Sequence, residues 1–256
     1  MLKIATWNVN GIRAREAQVA QWLADERPDV ACLQELKARP DQVPALLAAP
    51  AGYWSFWHGS GPYSGVALLV RRDRAPSPPA FFHPPFDFES RIVAAEVAGV
   101  TVASVYVPNG GKDYAAKLRF LEALCGWAEE RRAAGGALLL GGDVNVARTD
   151  LDVFEKDRRP DAIGQRPDER ALLERLLAAG LVDVQRALHP GVPELYTWWP
   201  PWRNMRARNL GWRIDYLLAS APLAARARRC EAFRELGTSD HAPLVAELDE
   251  GAAPTA

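Results

Sequence analysis

Five segments of the chain place acid, amide or imidazole side chains next to short apolar runs. The clearest is residues 137–146, in which an apolar run passes through two glycines to Asp143 and Asn145. Residues two apart on an extended chain point to the same side, so this carboxylate and this amide would face one spot. Asp and Asn also serve ordinary turns, and this segment alone leaves both interpretations open.

Four other segments carry polar side chains of the same kind at the edge of an apolar run. They supply Asn8 and Asn10 after residues 2–7, Glu35 after residues 29–33, Asp215 near the start of residues 214–219, and Asp240 with His241 before residues 242–248. Catalytic sites are commonly assembled from several strand ends and the loops beside them. Five segments of matching polarity therefore predict one shared site.

The residue types in these segments favour a hard divalent cation. Carboxylate and amide oxygens suit Mg²⁺ or Mn²⁺, whereas zinc would favour more His or Cys. His241 is the one histidine in this company, and Asp215 could orient its ring. A cation, an oriented imidazole and further hydrogen-bond donors suit hydrolysis of a phosphodiester. The sequence has no P-loop, dinucleotide fingerprint or Gly-x-Ser-x-Gly elbow, which favours attack by water.

The remaining histidines, His58, His83 and His189, occur in Pro- or Gly-rich segments. Polar residues on loops mostly face solvent. We therefore predict that these three lie on surface loops and take no part in the site.

Residues 198–213 form the densest aromatic and basic stretch of the chain. Arginines suit phosphates and flat rings suit exposed sugars or bases, which predicts a nucleic-acid surface. The alternative is a proline-stiffened loop whose tryptophans cap the core. Both can hold if Trp198 and Trp212 line a pocket while Trp202 and Arg203 are exposed. The candidate DNA-binding residues are Asn109, Lys112, Trp198, Trp202, Arg203, Trp212 and Arg213.

An abasic sugar leaves the duplex cheaply, because little stacking or pairing must be broken. A small aromatic pocket could recognise it, with Trp202 or Arg203 filling the gap as a wedge. For Lys112, after two glycines, a phosphate contact and a flexible turn with a solvated lysine remain equally open.

Composition sets the class of protein. The chain has 256 residues, 48% of them hydrophobic, and a formal net charge of −1, which argues against indiscriminate binding to polyanions. Cys32, Cys125 and Cys230 are too few and too scattered for a zinc or disulfide pattern, so we expect reduced core residues. The N-terminus resembles no signal peptide and no apolar run approaches a membrane span. We expect a soluble, cytoplasmic, monomeric protein.

Apolar periodicity predicts a mixed α/β chain. Helical spacing predicts helices over residues 12–25, 113–132 and 168–178. The strand-like runs are residues 2–7, 29–33, 65–71, 91–97, 100–107, 137–141, 214–219 and 242–248. Runs 91–97 and 100–107 have no room for a helix between them and predict a hairpin. We expect one domain over 1–248, a surface loop over 74–88 and a flexible tail over 249–256.

Six segments together resemble the exonuclease III class of AP endonucleases, within the wider endonuclease/exonuclease/phosphatase superfamily. They follow the family's order along the chain, as residues 6–13, 33–37, 105–109, 142–146, 211–216 and 239–241. The resemblance implies a four-layer α/β sandwich, with two mixed β-sheets face to face and helices outside. It implies Mg²⁺- or Mn²⁺-dependent cleavage of duplex DNA 5′ to abasic sites, and 3′–5′ exonuclease or cleaning of blocked 3′ ends.

The resemblance also implies roles for single residues. Glu35 matches the family's metal carboxylate, with Asn8 and Asn10 beside it, and Asp240 matches an acid sometimes treated as a second ligand. Asp143 matches the residue that aligns or deprotonates the attacking water. The groups matched near the phosphate, its leaving oxygen or the catalytic histidine are Asn145, His241, Asp215, Tyr106 and Asn109.

Two other functions share this fold. A phosphatase acting on a lipid or inositol phosphate would keep the site, but the Trp/Arg stretch and the Trp-Asn-Val-Asn-Gly opening at residues 7–11 argue against it. A non-catalytic nucleic-acid-binding regulator would have lost part of the catalytic set, and here every position holds a competent residue.

Overall fold

The computed structural model describes residues 1–250 as twelve strands, six α-helices and four short 3₁₀ segments. The strands are β1 Leu2–Asn8, β2 Val30–Gln34, β3 Tyr53–His58, β4 Val66–Arg71, β5 Phe81–Phe82, β6 Ile92–Val97, β7 Val100–Tyr106, β8 Ala137–Asp143, β9 Leu181–Asp183, β10 Asp215–Ser220, β11 Ala227–Ala232 and β12 Leu244–Leu248. The α-helices are α1 Glu16–Glu26, α2 Ala45–Ala48, α3 Tyr114–Ala133, α4 Pro167–Ala178, α5 Val184–Leu188 and α6 Ala221–Ala224. The 3₁₀ segments are Ile12–Arg15, Pro40–Gln42, Asp150–Asp152 and Glu155–Asp157.

The strands form two mixed six-stranded sheets. The first has the order β11-β12-β1-β2-β4-β3 and the second β5-β6-β7-β8-β10-β9. Each sheet has one parallel pair at its centre, β1 with β2 and β7 with β8. The other pairs are antiparallel, so strands entering from the opposite direction begin where the parallel strands end.

Apolar alternation divides the core into three layers. Ile4, Cys32 and Leu68 of the first sheet pack against residues of the second sheet such as Leu139 and Leu217. The outer face of the first sheet is covered by Val19, Trp22 and Leu23 of α1, and that of the second by buried residues of α3 and α4. Since alternate residues of a strand face opposite sides, both faces of each sheet are buried. The predicted four-layer sandwich is confirmed.

Two glycines of β8 allow close approach, Gly142 to the neighbouring strand β7 and Gly141 to β2 of the first sheet. A Cβ on Gly142 would lie 1.9 Å from the carbonyl oxygen of Val105, and one on Gly141 would lie 3.0 Å from Cys32 Sγ. No side chain fits at Gly142 without moving the backbone of β7. The register that results places Tyr106, Asp143 and Asp215 side by side on β7, β8 and β10.

The three predicted helices and the 91–97/100–107 hairpin are present, with ends shifted by a few residues; the first of the helices opens as a 3₁₀ turn, Ile12–Arg15. Strands β3, β9 and β11 were not predicted from the sequence. Strand β11 is rich in charged residues because it lies at a sheet edge, where polar side chains discourage further pairing. Strand β9 has only three residues. The predicted loop 74–88 contains the two-residue strand β5.

The remaining expectations concern cysteines, the tail and membranes. Cys32, Cys125 and Cys230 are buried and unbonded, as predicted. Burial raises the pKa of the Cys32 thiol to about 12 and that of Cys125 to about 11. Of the predicted tail, Asp249 pairs with Arg228 and Glu250 with Arg74, whereas residues 251–256 lie outside the described residues. Within residues 1–250 no helix has the length and apolarity to cross a membrane.

Candidate active site

Strand direction brings the predicted site residues to one end of the sandwich. The parallel strands β1, β2, β7 and β8 all run toward this end. Strands β10 and β12 run the opposite way, so they start there, and Asp215 and His241 stand at or just before their first residues. Side chains spread over more than 230 positions therefore meet in one place.

Three of the predicted catalytic and metal-binding residues adopt the left-handed backbone conformation. Asn10, Glu35 and Asn145 have φ of 44°, 52° and 55°. Asn tolerates this conformation, but for Glu it is uncommon and costs free energy unless the surroundings enforce it. Each residue lies one or two positions beyond a strand end, where the sharp turn directs its side chain back toward the other site residues.

Asp143 lies at the centre of the cluster and is buried. Its Oδ2 accepts hydrogen bonds from the amides of Asn8 (2.9 Å) and Asn145 (3.2 Å), and its Oδ1 accepts the backbone N–H of Asn145 at 2.9 Å. His241 Nε2 stands 3.8 Å from the same Oδ2. The spacing of Asp143 and Asn145 thus serves both a local turn and a shared site.

His241 is held from its other nitrogen. Its Nδ1 is 2.9 Å from Asp215 Oδ2, and both residues are buried. Ser239 Oγ accepts the backbone N–H of His241 at 3.2 Å and donates to the carbonyl of Asn8 at 2.7 Å. The ring is therefore fixed by a carboxylate and its loop is tied to the end of β1, which leaves Nε2 directed toward Asp143.

Glu35, Asn10 and Asp240 form the outer part of the cluster. Tyr106 donates its hydroxyl to Glu35 Oε1, and Asn10 donates its amide to Asp240 Oδ1 at 2.7 Å. The ammonium of Lys37 lies between Glu35 Oε2 (2.9 Å) and Asn10 Oδ1 (2.5 Å). Asn8 uses its Oδ1 to accept the N–H of Asn10 at 3.0 Å, so it positions its neighbours.

Charge is crowded in this cluster, and the pKa values move accordingly. Burial raises the pKa of Asp143 to about 8, aided by the charges of Asp215 and Glu35 and opposed by His241. Burial would lower the pKa of His241, but Asp215 and Asp143 raise it to about 10. Burial would also raise the pKa of Glu35, but the hydrogen bond from Tyr106 and nearby positive charges lower it. The imidazole favours its charged form, and Asp143 binds a proton more readily than an ordinary carboxyl.

The donor set fits a divalent cation. Glu35 and Asn10 already direct two oxygens at one cation, the ammonium of Lys37. A carboxylate oxygen of Asp143 also lies within 4.8 Å of one of Asp215, and Asp215 Oδ1 is buried without a hydrogen-bond partner. Four carboxylates against one lysine and one imidazole leave negative charge that a hard cation would offset. Lys37 belongs to a segment that carries the family resemblance, but sequence analysis gave it no role.

The aromatic stretch borders this cluster. Trp198 donates its indole N–H to Asp240 Oδ2 at 3.0 Å, and its ring lies 6.4 Å from that of His241 and 5.7 Å from that of Trp212. Trp198 and Trp212 are half-buried, whereas Trp202 is 59% exposed and Arg203 is exposed. The two half-buried rings thus line one side of the site. Trp202 and Arg203 project from a loop beside a cleft of about 510 Å³.

The prediction that Arg213 binds DNA is wrong. Its side chain is fully buried and its guanidinium pairs with Asp152 at 2.7 Å and with Asp183 at 2.8 Å. A second arginine, Arg186, pairs with Asp152 at 2.7 Å. The charge of Arg213 is thus neutralised inside the protein and does not reach a DNA phosphate.

Asn109 and Lys112 are exposed on the loop after β7. The Asn109 side chain accepts the N–H of Gly111 at 2.9 Å, which shapes the loop. The prediction that His58 lies on a surface loop is wrong, because it lies in β3 and is half-buried. His83 is exposed beyond β5, and His189 is half-buried at the end of α5.

Lys117 is a further residue that supports the site and was not predicted from the sequence. It is fully buried in α3, pairs with Glu169 of α4 and donates to the carbonyl oxygen of Asn145 at 2.7 Å. The signal in the sequence was a lysine on the apolar face of a predicted helix. Because a lysine is almost never buried unless it is paired, such a position indicates a buried ion pair. Its contact holds the left-handed turn that carries Asn145.

Comparison with known proteins places this geometry in a wider group. The model of the Endonuclease/Exonuclease/phosphatase family matches residues 5–241. Recombination repair protein 1 of Drosophila melanogaster is 34% identical over 252 residues, which are 95% of this chain and 36% of that protein. The exodeoxyribonuclease of Bacillus subtilis is 31% identical over 250 residues, which cover 95% of this chain and 98% of that protein.

Solved structures give the same result. A 3′ phosphatase from Neisseria bound to a product DNA hairpin is 35% identical with a TM-score of 0.88, covering 98% of this chain and all of that one. An AP endonuclease from Archaeoglobus fulgidus is 34% identical, also with a TM-score of 0.88 and the same coverage.

Proposed function

The chain belongs to the endonuclease/exonuclease/phosphatase family, and from this premise we propose that it is a magnesium-dependent DNA repair nuclease that cleaves duplex DNA 5′ to abasic sites. We include 3′–5′ exonuclease action and the cleaning of blocked 3′ ends in the proposal. The observation that carries it is the convergence of Glu35, Asp143 and His241 at one mouth beside an exposed aromatic and basic loop. The similar proteins, which include an AP endonuclease, an exodeoxyribonuclease and a 3′ phosphatase, support a DNA substrate.

Asp143 is suited to accept the proton of the attacking water. The amides of Asn8 and Asn145 hold its carboxylate in place, and once it is ionised the carboxylate has a higher affinity for that proton because its pKa is raised. As the water oxygen bonds to phosphorus, its proton passes to Asp143 and the bond from phosphorus to the 3′ oxygen breaks, and the departing 3′ oxygen takes up a proton from solvent. The hydrolysis leaves a 3′ hydroxyl on one side and a 5′ phosphate on the abasic sugar.

His241 supplies positive charge to the phosphate. Asp215 favours the imidazolium and fixes the direction of Nε2, so the charge is present before the substrate arrives. Preorganised charge of this kind stabilises the transition state without reorganisation during the reaction. Asn145 would donate to a non-bridging phosphate oxygen once its amide is released from Val107 O, to which it donates at 3.0 Å.

A divalent cation held by Glu35, with Asn10 and Asp240 beside it, would neutralise charge on the phosphate and its leaving oxygen. Lys37 occupies this position with its ammonium, which must then move aside. Tyr106 keeps its proton, because burial and then the charges of Glu35 and Asp143 raise its pKa well above the usual value. Its hydroxyl therefore stays a donor and orients Glu35.

Recognition of the abasic site would use the wall of Trp198 and Trp212. A sugar without a base fits beside two rings that meet edge to face, whereas a normal nucleotide is bulkier. Trp202, with most of its ring exposed, stands where it could occupy the gap left in the duplex.

The test is cleavage of a labelled duplex carrying one abasic analogue. Purified protein with Mg²⁺ should cut 5′ to the analogue, and EDTA should abolish the cut. A matched duplex without the analogue and an Asp143→Asn variant serve as controls. Equal turnover in EDTA, or activity on phosphoinositides with none on DNA, would overturn the proposal.

A further inference from the structure

A second cluster of metal-ligating side chains lies on the rim of the sandwich, at His58, His83 and Asp87. His58 ends β3, while His83 and Asp87 belong to the segment between β5 and β6. One ligand atom from each of the three residues lies within 4.8 Å of the other two. His58 Nε2 is 2.7 Å from Asp87 Oδ2, and the two imidazole rings stack with centroids 3.9 Å apart.

Hydrogen bonds around the cluster prepare its atoms for an ion. His83 Nδ1 lies 3.2 Å from the carbonyl oxygen of Ile92, which fixes the proton on Nδ1 and leaves the lone pair of Nε2 free. Metal-binding histidines almost always donate their other N–H in this manner. Asp87 Oδ1 accepts the backbone N–H groups of Arg91 (2.8 Å) and Ile92 (3.0 Å), so its carboxylate is already oriented.

The cluster is separate from the candidate active site. His58 pairs with Val66 on β4, and Val66 pairs with Gln34 on β2, so His58 is two strands away from the residue preceding Glu35. Two strand spacings amount to about 10 Å. None of the three cluster residues takes part in the mechanism proposed above.

We propose that His58, His83 and Asp87 bind a borderline-soft divalent transition-metal ion, for which Zn²⁺ is the representative. Two imidazoles and one carboxylate with an open fourth position suit this class of ion, whereas Mg²⁺ prefers oxygen ligands. Across a tetrahedral Zn²⁺ the ligand atoms stand about 3.3 Å apart. The 2.7 Å separation of His58 and Asp87 must therefore open slightly as the ion replaces the shared proton.

The ion would fasten the β5–β6 segment to the edge strand β3. Zn²⁺ should therefore raise the midpoint of thermal unfolding, since a ligand that binds only the folded state stabilises it.

The test measures Zn²⁺ binding by competition with a chromophoric chelator. The protein carries Glu35→Gln and Asp143→Asn, which remove two carboxylates from the candidate active site. We expect one equivalent of Zn²⁺ to remain bound in this background. His83 is exposed, and adding His83→Ala to this background should raise the dissociation constant for Zn²⁺ by about 10-fold to 100-fold. Adding His189→Ala, at a distant histidine, should leave it unchanged.

Co²⁺ in the same background provides a second measurement, because its visible absorption reports nitrogen ligands in a tetrahedral site. His58→Gln and His83→Ala should each remove that absorption while circular dichroism shows a folded chain. Failure of the background protein to bind Zn²⁺, or unchanged binding in His83→Ala, would overturn the proposal. Neither result affects the proposed nuclease activity, which is measured with Mg²⁺ and DNA.

Discussion

Arg213 and Asp215 are separated by one residue and both are fully buried, yet the clusters around them balance charge differently. Around Arg213, two arginines face two aspartates, since Arg213 pairs with Asp152 and Asp183 and Arg186 pairs with Asp152. Around Asp215 the acids outnumber the cations. Its cluster holds the four carboxylates Glu35, Asp143, Asp215 and Asp240 against Lys37 and His241.

The difference separates a structural cluster from a reactive one. A buried network whose charges cancel needs nothing from outside, and its geometry is fixed by bidentate ion pairs. A buried network with excess negative charge keeps its carboxyl pKa values shifted and binds protons or cations to compensate. Burial raises the pKa of Asp143 to about 8, which agrees with an excess of negative charge in this cluster.

Substitution in the reactive cluster should give the largest effect. Asp143→Asn and His241→Ala should each lower the rate of cleavage by about 10²–10⁴, as removal of comparable positioned groups does. Asp143→Asn should not lower the free energy of unfolding, because it removes one of four crowded carboxylates. Single-turnover cleavage and urea unfolding of the same preparations check both statements. Full activity in Asp143→Asn would remove its role as the base.

Substitution in the balanced cluster should act on stability. Arg213→Met should lower the free energy of unfolding by about 3–5 kcal/mol, because it leaves Asp152 and Asp183 buried without their partner. Arg208→Met, at an exposed arginine of the same stretch, is the control and should change little. Urea unfolding measures both. If Arg213→Met were as stable as the wild type but bound DNA more weakly, the original prediction of a DNA contact would be restored.

Substitution of Trp202 tests whether the exposed loop next to the two clusters binds DNA. Trp202→Ala should weaken binding and cleavage of abasic duplex by about 1–3 kcal/mol, the range for loss of one aromatic stacking contact. Its exposed ring contributes little to folding, so the free energy of unfolding should stay the same. Fluorescence anisotropy with abasic and intact duplexes measures the loss. An equal loss on both duplexes would exclude Trp202 as the abasic wedge.

The smallest expected effect is a change with pH in the stability that Asp152 contributes. Burial would raise the pKa of Asp152, but Arg213 and Arg186 lower it below its usual value. A carboxyl with a lowered folded-state pKa contributes stability above its unfolded pKa and loses it as the pH falls through the folded one. The stability gap between wild type and Asp152→Asn should therefore narrow below about pH 4. A difference in the free energy of unfolding that stays constant from pH 6 to pH 3 would contradict a lowered pKa for Asp152.

The sequence predicted the site better than its surroundings. Asp143 and Asn145 were recognisable because glycines, an apolar run and a spacing of two constrain the backbone locally. Arg213 was misassigned because its partners Asp152 and Asp183 are distant in the chain, and composition cannot distinguish an exposed arginine from a paired one. Lys117 was missed for the same reason, since its partner Glu169 lies on another helix. His58 was assigned to a loop because the aromatic strand β3 was not recognised.

Binding of Mn²⁺, followed by electron paramagnetic resonance, tests most directly whether the unbalanced cluster is a cation site. The wild-type protein should bind the ion, and Glu35→Gln should bind it at least about 10-fold more weakly because it loses a ligand carboxylate. Asp249→Asn removes a carboxylate at the opposite end of the first sheet and should bind like the wild type. Equal Mn²⁺ affinity in wild type and Glu35→Gln would show that Glu35 is not a ligand of a cation in this cluster.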